Sequence, residues 1–241
     1  MTAVSEFSTD LEGAGTPESV WLAAPSLRTA KRWRPVLPRS GRVVVVAPHP
    51  DDEILGAGGT VARLMSLGAH HVAVAVTDGE ASHHGRAPEL REVRPAESFA
   101  AAQALGIVPD VTHRLRMEDG RVEARRLAVE LAGVLQPDDL VLAPWVCDGH
   151  PDHAQVGLGA DMACAMRGAN LLSYLVWAWH WARPDQLPWH KARRVDLSPR
   201  LTARKRGAIR CFRSQIEGPD PVLRPEVITR LTRCFEVLVE T

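Results

Sequence analysis

A short apolar run that ends in a cluster of metal-binding residue types constrains this chain more than any other feature. The run is Val43–Val46, all valine, and this length and β-branched composition are typical of a buried strand in a parallel sheet. His49, Asp51, Asp52 and Glu53 follow almost at once. Because open α/β sheets bind ligands beyond the carboxyl ends of their strands, we expect this cluster to lie on a functional loop.

A second apolar run is followed by the same residue types. It is Leu140–Ala143, and Asp148, His150, Asp152 and His153 come a few positions later. One such cluster alone is common on protein surfaces, but the carboxyl ends of two parallel strands meet at the same edge of a sheet. The two clusters together therefore predict a single metal site.

The residue types indicate how such a site would be divided between binding and catalysis. One catalytic zinc commonly takes three imidazole or carboxylate ligands and keeps a fourth position for water. The predicted ligands are His49, one carboxylate of Asp51 and Asp52, and one imidazole of His150 and His153. The remaining carboxylate and imidazole are suited to general base catalysis and to oxyanion stabilisation. Two nitrogens and a carboxylate accommodate Zn²⁺ and also Fe²⁺.

Strand-like and helix-like segments alternate from residue 43 to residue 177. We therefore predict that residues 41–241 form a single-domain α/β fold with a mostly parallel, doubly wound (Rossmann-like) sheet and helices on both faces. The C-terminal part is predicted to end in two helices, at 201–215 and 225–238. Residues 1–40 show little periodicity and are predicted to form an irregular arm that packs on the core.

Composition limits the partners and the location. The formal net charge is zero, which argues against nucleic acid or an anionic membrane surface as a partner. No stretch reaches the roughly 20 apolar residues of a membrane span, and no secretory signal is apparent, so a cytoplasmic enzyme with no membrane partner is expected. The four cysteines contain no C-x-x-C pair, which disfavours a zinc ribbon or a disulfide framework. The sequence leaves a homo-oligomer open.

Common nucleotide and serine-hydrolase motifs are absent from the sequence. The glycines at 56, 58 and 59 do not complete G-x-G-x-x-G, because position 61 is valine, and an acidic cluster before them would repel a pyrophosphate. Neither G-x-x-x-x-G-K nor G-x-S-x-G occurs, which disfavours a P-loop enzyme and a serine hydrolase of the elbow type.

The paired motifs HPDDE at 49–53 and HPDH at 150–153 resemble those of the LmbE/PIG-L superfamily of zinc-dependent de-N-acetylases. The resemblance extends over about residues 43–215. It implies a metal-dependent hydrolase that removes an N-acyl group, in the first place an acetyl group, from a small-molecule N-acylated amino sugar. A thiol precursor, an envelope sugar or a natural product would fit this class of substrate.

Carried over by position, the resemblance implies a role for each motif residue. His49, Asp52 and His153 would be the zinc ligands, and Asp51 would be the general base. His150 would polarise the amide oxygen and serve as the acid. Asp152 would hold the ring of His150 and tune its pKa.

Each predicted substrate contact has two competing interpretations. Arg94 matches a family position associated with a sugar hydroxyl, but an arginine in a helix is also commonly a surface ion-pair partner. The aromatic segment 177–181 is interpreted either as the hydrophobic face of an edge strand or as part of a sugar pocket, with Trp179 and His180 as pocket residues. Two other functions remain alternatives, namely a zinc amidase on a non-sugar substrate and a metal-binding interaction protein without catalysis.

Overall fold

The computed structural model describes residues 13–83 and 85–241. Their strands form one seven-stranded sheet with the spatial order β3-β2-β1-β4-β5-β7-β6. In chain order the strands are β1 Arg42–Ala47, β2 His70–Thr77, β3 Val111–Met117, β4 Leu140–Pro144, β5 Asn170–Tyr174, β6 Ala192–Asp196 and β7 Phe235–Glu240. Strands β1 to β5 pair in parallel, and β7 pairs antiparallel with both β5 and β6.

Helices cover both faces of the sheet. In chain order they are α1 Glu18–Ala23, α2 Pro25–Thr29, α3 Asp52–Ser66, α4 Ala87–Leu105, α5 Ala124–Val134, α6 Pro151–Arg167, α7 Ala178–Trp181, α8 Pro199–Ile209, α9 Arg213–Ile216 and α10 Pro225–Leu231. Helices α3, α4 and α8 contribute to one buried apolar cluster, and α5 and α6 contribute to another. The predicted fold class is confirmed. Among the described helices, none has the length and apolar character needed to cross a membrane.

The sheet places its topological switch point between β1 and β4. From β1 the chain moves outward through β2 to β3 and then returns to β4 on the other side of β1. Crossovers of this kind leave a crevice at the carboxyl ends of the two central strands. The segments that follow β1 and β4 are the two that carry the His and Asp clusters.

Two predicted elements near the C-terminal half are wrong. Residues 178–181 form the short helix α7 and not an edge strand, because the Asp148 carboxylate accepts three consecutive backbone N–H groups there and turns the chain away from the sheet. The predicted helix at 225–238 ends at Leu231, and β7 follows from Phe235. Strand β7 is buried on both faces, so its run of apolar residues shows no alternation that would distinguish it from a helix.

The arm predicted at residues 1–40 is not irregular throughout, because its described part, 13–40, contains helices α1 and α2, while residues 1–12 lie outside the described residues. Residues 13–40 are anchored to the C-terminal half of the chain. Trp21 is fully buried, and its indole N–H donates to the Trp179 carbonyl at 3.0 Å. The backbone N–H of Thr16 donates to the His180 carbonyl at 2.6 Å. Arg233 pairs with Glu18 and also lies over the rings of both tryptophans. These contacts attach the segment firmly to α7 and to the residues after α10.

Removing the Trp21 side chain is expected to destabilise the whole protein. Trp21→Ala should lower the free energy of unfolding by about 3–5 kcal/mol, since a buried indole leaves both a cavity and an unpaired Trp179 carbonyl. Leu22→Ala is the matched control, because Leu22 is 54% exposed. Urea denaturation followed by circular dichroism measures both, and equal losses in the two variants would contradict the anchoring.

A buried histidine at the start of β2 makes stability depend on pH. His71 is 1% exposed, and its Nδ1 lies 2.8 Å from the Ile107 carbonyl. Burial lowers the pKa of His71 to about 4, although Ile107 and Asp110 oppose the shift. The unfolded chain therefore binds more protons than the folded one between about pH 6.5 and pH 4.

Stability should therefore fall as the pH drops through this window. The contribution of His71 is complete above the unfolded pKa of about 6.5, and roughly 3 kcal/mol of it is lost by pH 4. His71→Leu should flatten the slope of unfolding free energy against pH between 6.5 and 4.5, whereas His70→Leu, at an exposed neighbour, should not. If the unfolding free energy of His71→Leu had the same slope against pH as that of the native protein, the pH dependence would not come from His71.

Candidate active site

The two motif clusters meet in the crevice at the switch point. Asp51 precedes the first residue of α3, and His150 precedes the first residue of α6. Both helices therefore begin at the site, and Pro151 at the first position of α6 suits a helix start because it has no N–H to satisfy. The rings of His49, His150 and His153 lie with centroids 4.8–5.5 Å apart.

One carboxylate oxygen lies between two imidazoles. Oδ2 of Asp52 is 3.1 Å from Nδ1 of His49 and 3.1 Å from Nε2 of His153. All three side chains are buried. Ligands that each lie about 2.0–2.2 Å from one ion are separated by distances of this size.

The hydrogen bonding of His153 indicates that a positive charge lies between these atoms. Nδ1 of His153 donates to Oδ2 of Asp148 at 2.8 Å, so in the neutral ring Nε2 carries a lone pair. That lone pair faces the Asp52 carboxylate and is buried without a hydrogen-bond partner among the described residues. Two facing electron donors repel each other unless a positive charge lies between them, and either a proton on Nε2 or a metal ion supplies that charge.

The other ring nitrogen of His49 is held by two further carboxylates. Its Nε2 lies 3.2 Å from Oδ1 of Asp119 and 3.2 Å from Oδ2 of Asp152. The same Asp152 oxygen accepts the backbone N–H of Gly120 at 2.8 Å. With Nε2 donating to these carboxylates, Nδ1 of His49 offers its lone pair toward Asp52. The Asp152 carboxylate thus contacts His49 and not the ring of His150, contrary to the expectation from the motif.

The charges of the site are strongly coupled. Burial alone would lower the pKa of His153, but Asp52 raises it to about 9. Burial opposes protonation of His49 as well, yet Asp119, Asp152 and Asp52 raise its pKa well above the ordinary value. In turn His153 and His49 hold the pKa of Asp52 far below its usual range despite its burial. The cluster therefore requires positive charge, from protons or from a metal ion.

Asp51 is paired with an arginine beneath the pocket. Nη2 of Arg94 donates to Oδ2 of Asp51 at 3.0 Å, and Nη1 donates to the Gly79 carbonyl at 2.7 Å. Burial raises the pKa of Asp51, and Arg94 partly offsets this effect. Arg94 is therefore an ion-pair partner, as one interpretation held, but the pair is buried and does not lie on the surface. Its Nε is buried without a partner among the described residues, and the side chain also lines the pocket.

Glu53 supports the loop from behind. Its Oε2 accepts the backbone N–H of Asp51 at 3.1 Å, and its Oε1 accepts the Ser98 hydroxyl at 2.5 Å. Burial raises the pKa of Glu53 to about 7, with the nearby Asp51 adding to the effect and Ser98 opposing it. Glu53 thus orients the loop through hydrogen bonds and does not join the converging metal-facing atoms.

A backbone N–H at the start of α6 fixes the neutral His150 ring in one tautomer. Its Nδ1 accepts the backbone N–H of Asp152 at 3.2 Å, so the ring proton of the neutral form is on Nε2. Burial and the neighbouring His153 and His49 lower the pKa of His150 to about 3. At neutral pH the ring is therefore a neutral hydrogen-bond donor.

A pocket of 550 Å³ opens over these groups. Its wall includes Trp177, which stacks on Trp181 with ring centroids 5.7 Å apart. Gln215 is fully buried, and its Oε1 has no partner among the described residues. Beyond the catalytic cluster the lining includes Ser82, Trp177, Gln215, Asp220, Val222 and Arg224.

Trp179 and His180, expected in the pocket, are directed elsewhere. Trp179 packs edge-on against Trp21 at 4.9 Å. His180 is held by the Gly13 carbonyl at 2.9 Å and by Arg230 at 2.7 Å. Neither residue belongs to the pocket lining, because α7 turns after Trp177 and carries the later side chains away from the site.

Tyr174 is also committed to the core. Its hydroxyl donates to the Val46 carbonyl at 2.9 Å, and its ring packs closely on Gly56, where a Cβ would lie 2.2 Å from a ring carbon. Burial raises the pKa of the Tyr174 hydroxyl well above its usual value. It joins β5 to β1 and offers no donor to the pocket.

The sequence analysis gave no individual role to Asp148, Asp119 or Trp177, although Asp148 lies in the second cluster and Trp177 lies in the aromatic segment. Asp148 lies two residues before His150, so its position in the motif was a usable signal. Gly149 between them has φ +93°, and a Cβ there would lie 2.0 Å from the Trp181 ring, which shows how tightly this turn is packed. Asp119 follows the third strand, and only the topology brings it near His49.

Comparison with known proteins agrees with this geometry. Residues 44–164 match the protein family described as "PIG-L: GlcNAc-PI de-N-acetylase". Over 140 residues the chain is 32% identical to a diacetylchitobiose deacetylase of Thermococcus kodakarensis, covering 53% of this chain and 50% of that protein. Over 165 residues it is 31% identical to 1D-myo-inositol 2-acetamido-2-deoxy-alpha-D-glucopyranoside deacetylase 2 of Catenulispora acidiphila, covering 54% and 53%.

The chain thus spans about half the length of the curated relatives it matches. Among solved structures it is similar to the N,N'-diacetylchitobiose deacetylase from Pyrococcus horikoshii in complex with its inhibitor MPG. The TM-score is 0.61 at 24% identity, and the similarity covers 86% of this chain and 78% of that one, which establishes the shared fold. Since the family match takes in half of the chain and both His and Asp clusters, this protein belongs to the PIG-L family.

Proposed function

We propose that this protein is a metal-dependent hydrolase that removes an N-acyl group, in the first place an acetyl group, from a small amino-sugar compound. One observation carries the proposal. The Asp52 carboxylate meets the lone-pair nitrogens of two imidazoles beside a separate buried carboxylate, Asp51, at the floor of a 550 Å³ pocket. Family membership and the deacetylase relatives support the same reaction.

The proposed metal is Zn²⁺, held by His49, Asp52 and His153. Two nitrogens and one carboxylate suit zinc, and the same set accommodates Fe²⁺. When bound, the ion lowers the pKa of a coordinated water to about 7 and polarises a carbonyl oxygen. Asp148 and Asp119 are proposed to orient the two imidazoles from behind by accepting their other ring N–H groups.

Asp51 is proposed as the general base. It is buried beside the metal-facing atoms but is not one of them, because its Oδ2 accepts from Arg94. In this role the carboxylate takes a proton from the attacking water as the oxygen bonds to the amide carbon. The same proton can then pass to the departing nitrogen, so that a carboxylic acid and a free amine are released.

His150 is proposed to stabilise the amide oxygen as a neutral donor. The N–H of Asp152 occupies its Nδ1, which directs the Nε2–H outward. As the carbonyl becomes tetrahedral, a donor at this position gains strength with the negative charge on the oxygen. The pKa of about 3 for His150 makes hydrogen-bond donation its resting contribution, and it disfavours a resting imidazolium acid.

The substrate contacts of the proposed enzyme come from the pocket wall. Trp177 offers an aromatic surface that suits the apolar face of a pyranose ring, and the unpartnered Nε of Arg94 and Oε1 of Gln215 suit sugar hydroxyls. The zero net charge favours a small molecule over nucleic acid as the substrate. A cytoplasmic location belongs to the same proposal.

Separate variants should divide metal binding from catalysis. Asp51→Asn should lower amine release from N-acetylglucosamine conjugates by about 10²–10⁴-fold with the metal retained, because only the base is removed. His153→Ala should lose both the metal and the activity, while His190→Ala, at an exposed histidine, should retain both. Metal analysis of the purified protein and an amine-release assay supply the measurements.

The outcome decides between this function and its alternatives. Metal-loaded native protein that releases no amine from any amino-sugar conjugate would contradict the substrate class. Release from N-acetylated amines without a sugar would then favour the zinc amidase. Full activity in Asp51→Asn would contradict the assignment of the base.

Asp148 should act on the metal through His153. Asp148→Asn is expected to weaken zinc binding by about 10- to 100-fold, since the imidazole loses its charged acceptor. Asp161→Asn on the exposed side of α6 is the matched control. Competition with a chromogenic chelator measures the affinity, and a melting curve separates loss of metal from loss of fold. Unchanged affinity in a folded Asp148→Asn protein would refute the role.

A further inference from the structure

A second cavity lies behind the active site, between α4 and the strands β1 to β3. Along β2 the side chains of Ala73 and Ala75 face α4, whereas the intervening valines pack into the apolar cluster on the other face of the sheet. Small alanines on the central strand of this layer leave room under the helix. The resulting cavity has a volume of 120 Å³.

Helix α4 contributes the opposite wall. Pro95 lies inside the helix and has no N–H to bond the preceding turn. Pro95, Phe99 and Ala102 face the cavity together with Ser98. Phe99 is 53% exposed, so the cavity is open on the side of this ring.

His71 places one unsatisfied acceptor at the buried end of this cavity. Its Nδ1 donates to the Ile107 carbonyl at 2.8 Å, which leaves the lone pair on Nε2 in the neutral ring. Nε2 is buried and has no hydrogen-bond partner among the described residues. A buried acceptor of this kind costs free energy until a donor reaches it.

The other buried polar groups in the wall already have partners. The Glu53 carboxylate accepts from Ser98 and from the backbone of Asp51. The Thr77 hydroxyl donates to the Pro48 carbonyl, and Asp78 accepts from Arg114. The cavity therefore presents an apolar surface with one open acceptor.

We propose that this cavity binds a small apolar molecule with one hydroxyl group, such as a phenol or a short branched alcohol. The hydroxyl would donate to Nε2 of His71, and the apolar body would lie between Ala73, Ala75 and Ala102. An engineered apolar cavity of about 150 Å³ holds benzene. The cavity here is slightly smaller but open at Phe99, so a single ring fits with its hydroxyl innermost and its far edge at the mouth.

Such a ligand would contact the back of the catalytic loop. Pro50 and Glu53 both line the cavity, and Pro50 lies between His49 and Asp51 in the chain. Glu53 holds the backbone N–H of Asp51 from the same side. The site is nevertheless separate from the 550 Å³ pocket, since the binding surface is formed by β2 and α4.

Phenol and toluene provide the direct test, because they match in size and only phenol carries the donor. Titration of the ¹⁵N- and methyl-labelled full chain should shift resonances of Ala73, Ala75 and Ala102. Toluene should bind roughly 3- to 10-fold more weakly than phenol, as expected for one lost neutral hydrogen bond. His71→Leu should remove that preference, and melting curves report whether this variant is folded.

A matched pair of alanine variants tests the location. Ala73→Val adds methyl groups inside the cavity and should weaken phenol binding at least several-fold, whereas Ala100→Val on the exposed side of α4 should leave it unchanged. Equal affinity for phenol and toluene, no saturable shift with phenol, or unchanged binding in a folded Ala73→Val protein would each overturn the proposal. None of these readouts depends on hydrolytic activity.

Discussion

The buried carboxylate of Asp148 is the contact on which the site depends. It accepts the backbone N–H groups of Val176, Trp177 and Ala178 at 2.9–3.0 Å and the Nδ1–H of His153 at 2.8 Å. One fully buried side chain therefore sets the orientation of a metal-facing imidazole and the path of the chain after β5. A carboxylate that accepts four hydrogen bonds needs no counter-ion of its own. Because His153 donates to Asp148 through Nδ1, the lone pair on its Nε2 stays available on the other side of the ring.

Negative charge is in excess where the two central strands end. Asp51, Asp52, Asp119 and Asp152 crowd around His49, and burying so many carboxylates without compensation would be very costly. Arg94 neutralises the one that does not face the imidazoles. The others share a demand for positive charge that a divalent ion would meet, so a metal ion bound here would also stabilise this part of the fold.

The predictable part of the site came from local patterns, and the unpredictable part came from contacts distant in sequence. His49, the pair Asp51 and Asp52, and the pair His150 and His153 could be placed at one site because both clusters follow apolar strands. The choice of Asp52 and His153 as ligands came from the family resemblance alone. The mostly parallel, doubly wound class of the sheet was predictable because strands and helices alternate along the chain, whereas the strand order came from the structure. Asp119 reaches His49 only through the crossover from β3, and no spacing in the chain records that approach.

The errors near Trp177 and β7 have related physical causes. A run of aromatic residues has no period of its own, and an acceptor about 30 residues away, Asp148, decides that it turns into α7. Strand β7 is covered on both faces, so its apolar residues lack the alternation that identifies a half-buried strand. In both cases a tertiary effect, hydrogen bonding to Asp148 in the first and burial on both faces in the second, overrides what a short window of sequence can express.

The anchoring of residues 13–21 has a consequence for how the protein folds. Ala14 and Glu18 bind Arg230 and Arg233, which lie more than 200 positions later in the chain. During synthesis the contacts of this early segment with Arg230 and Arg233 cannot form until residue 233 has left the ribosome. Closing so long a loop is slow compared with forming local contacts, so the turn that carries Trp177 should gain its final rigidity as a late event, after the metal-facing strands have paired.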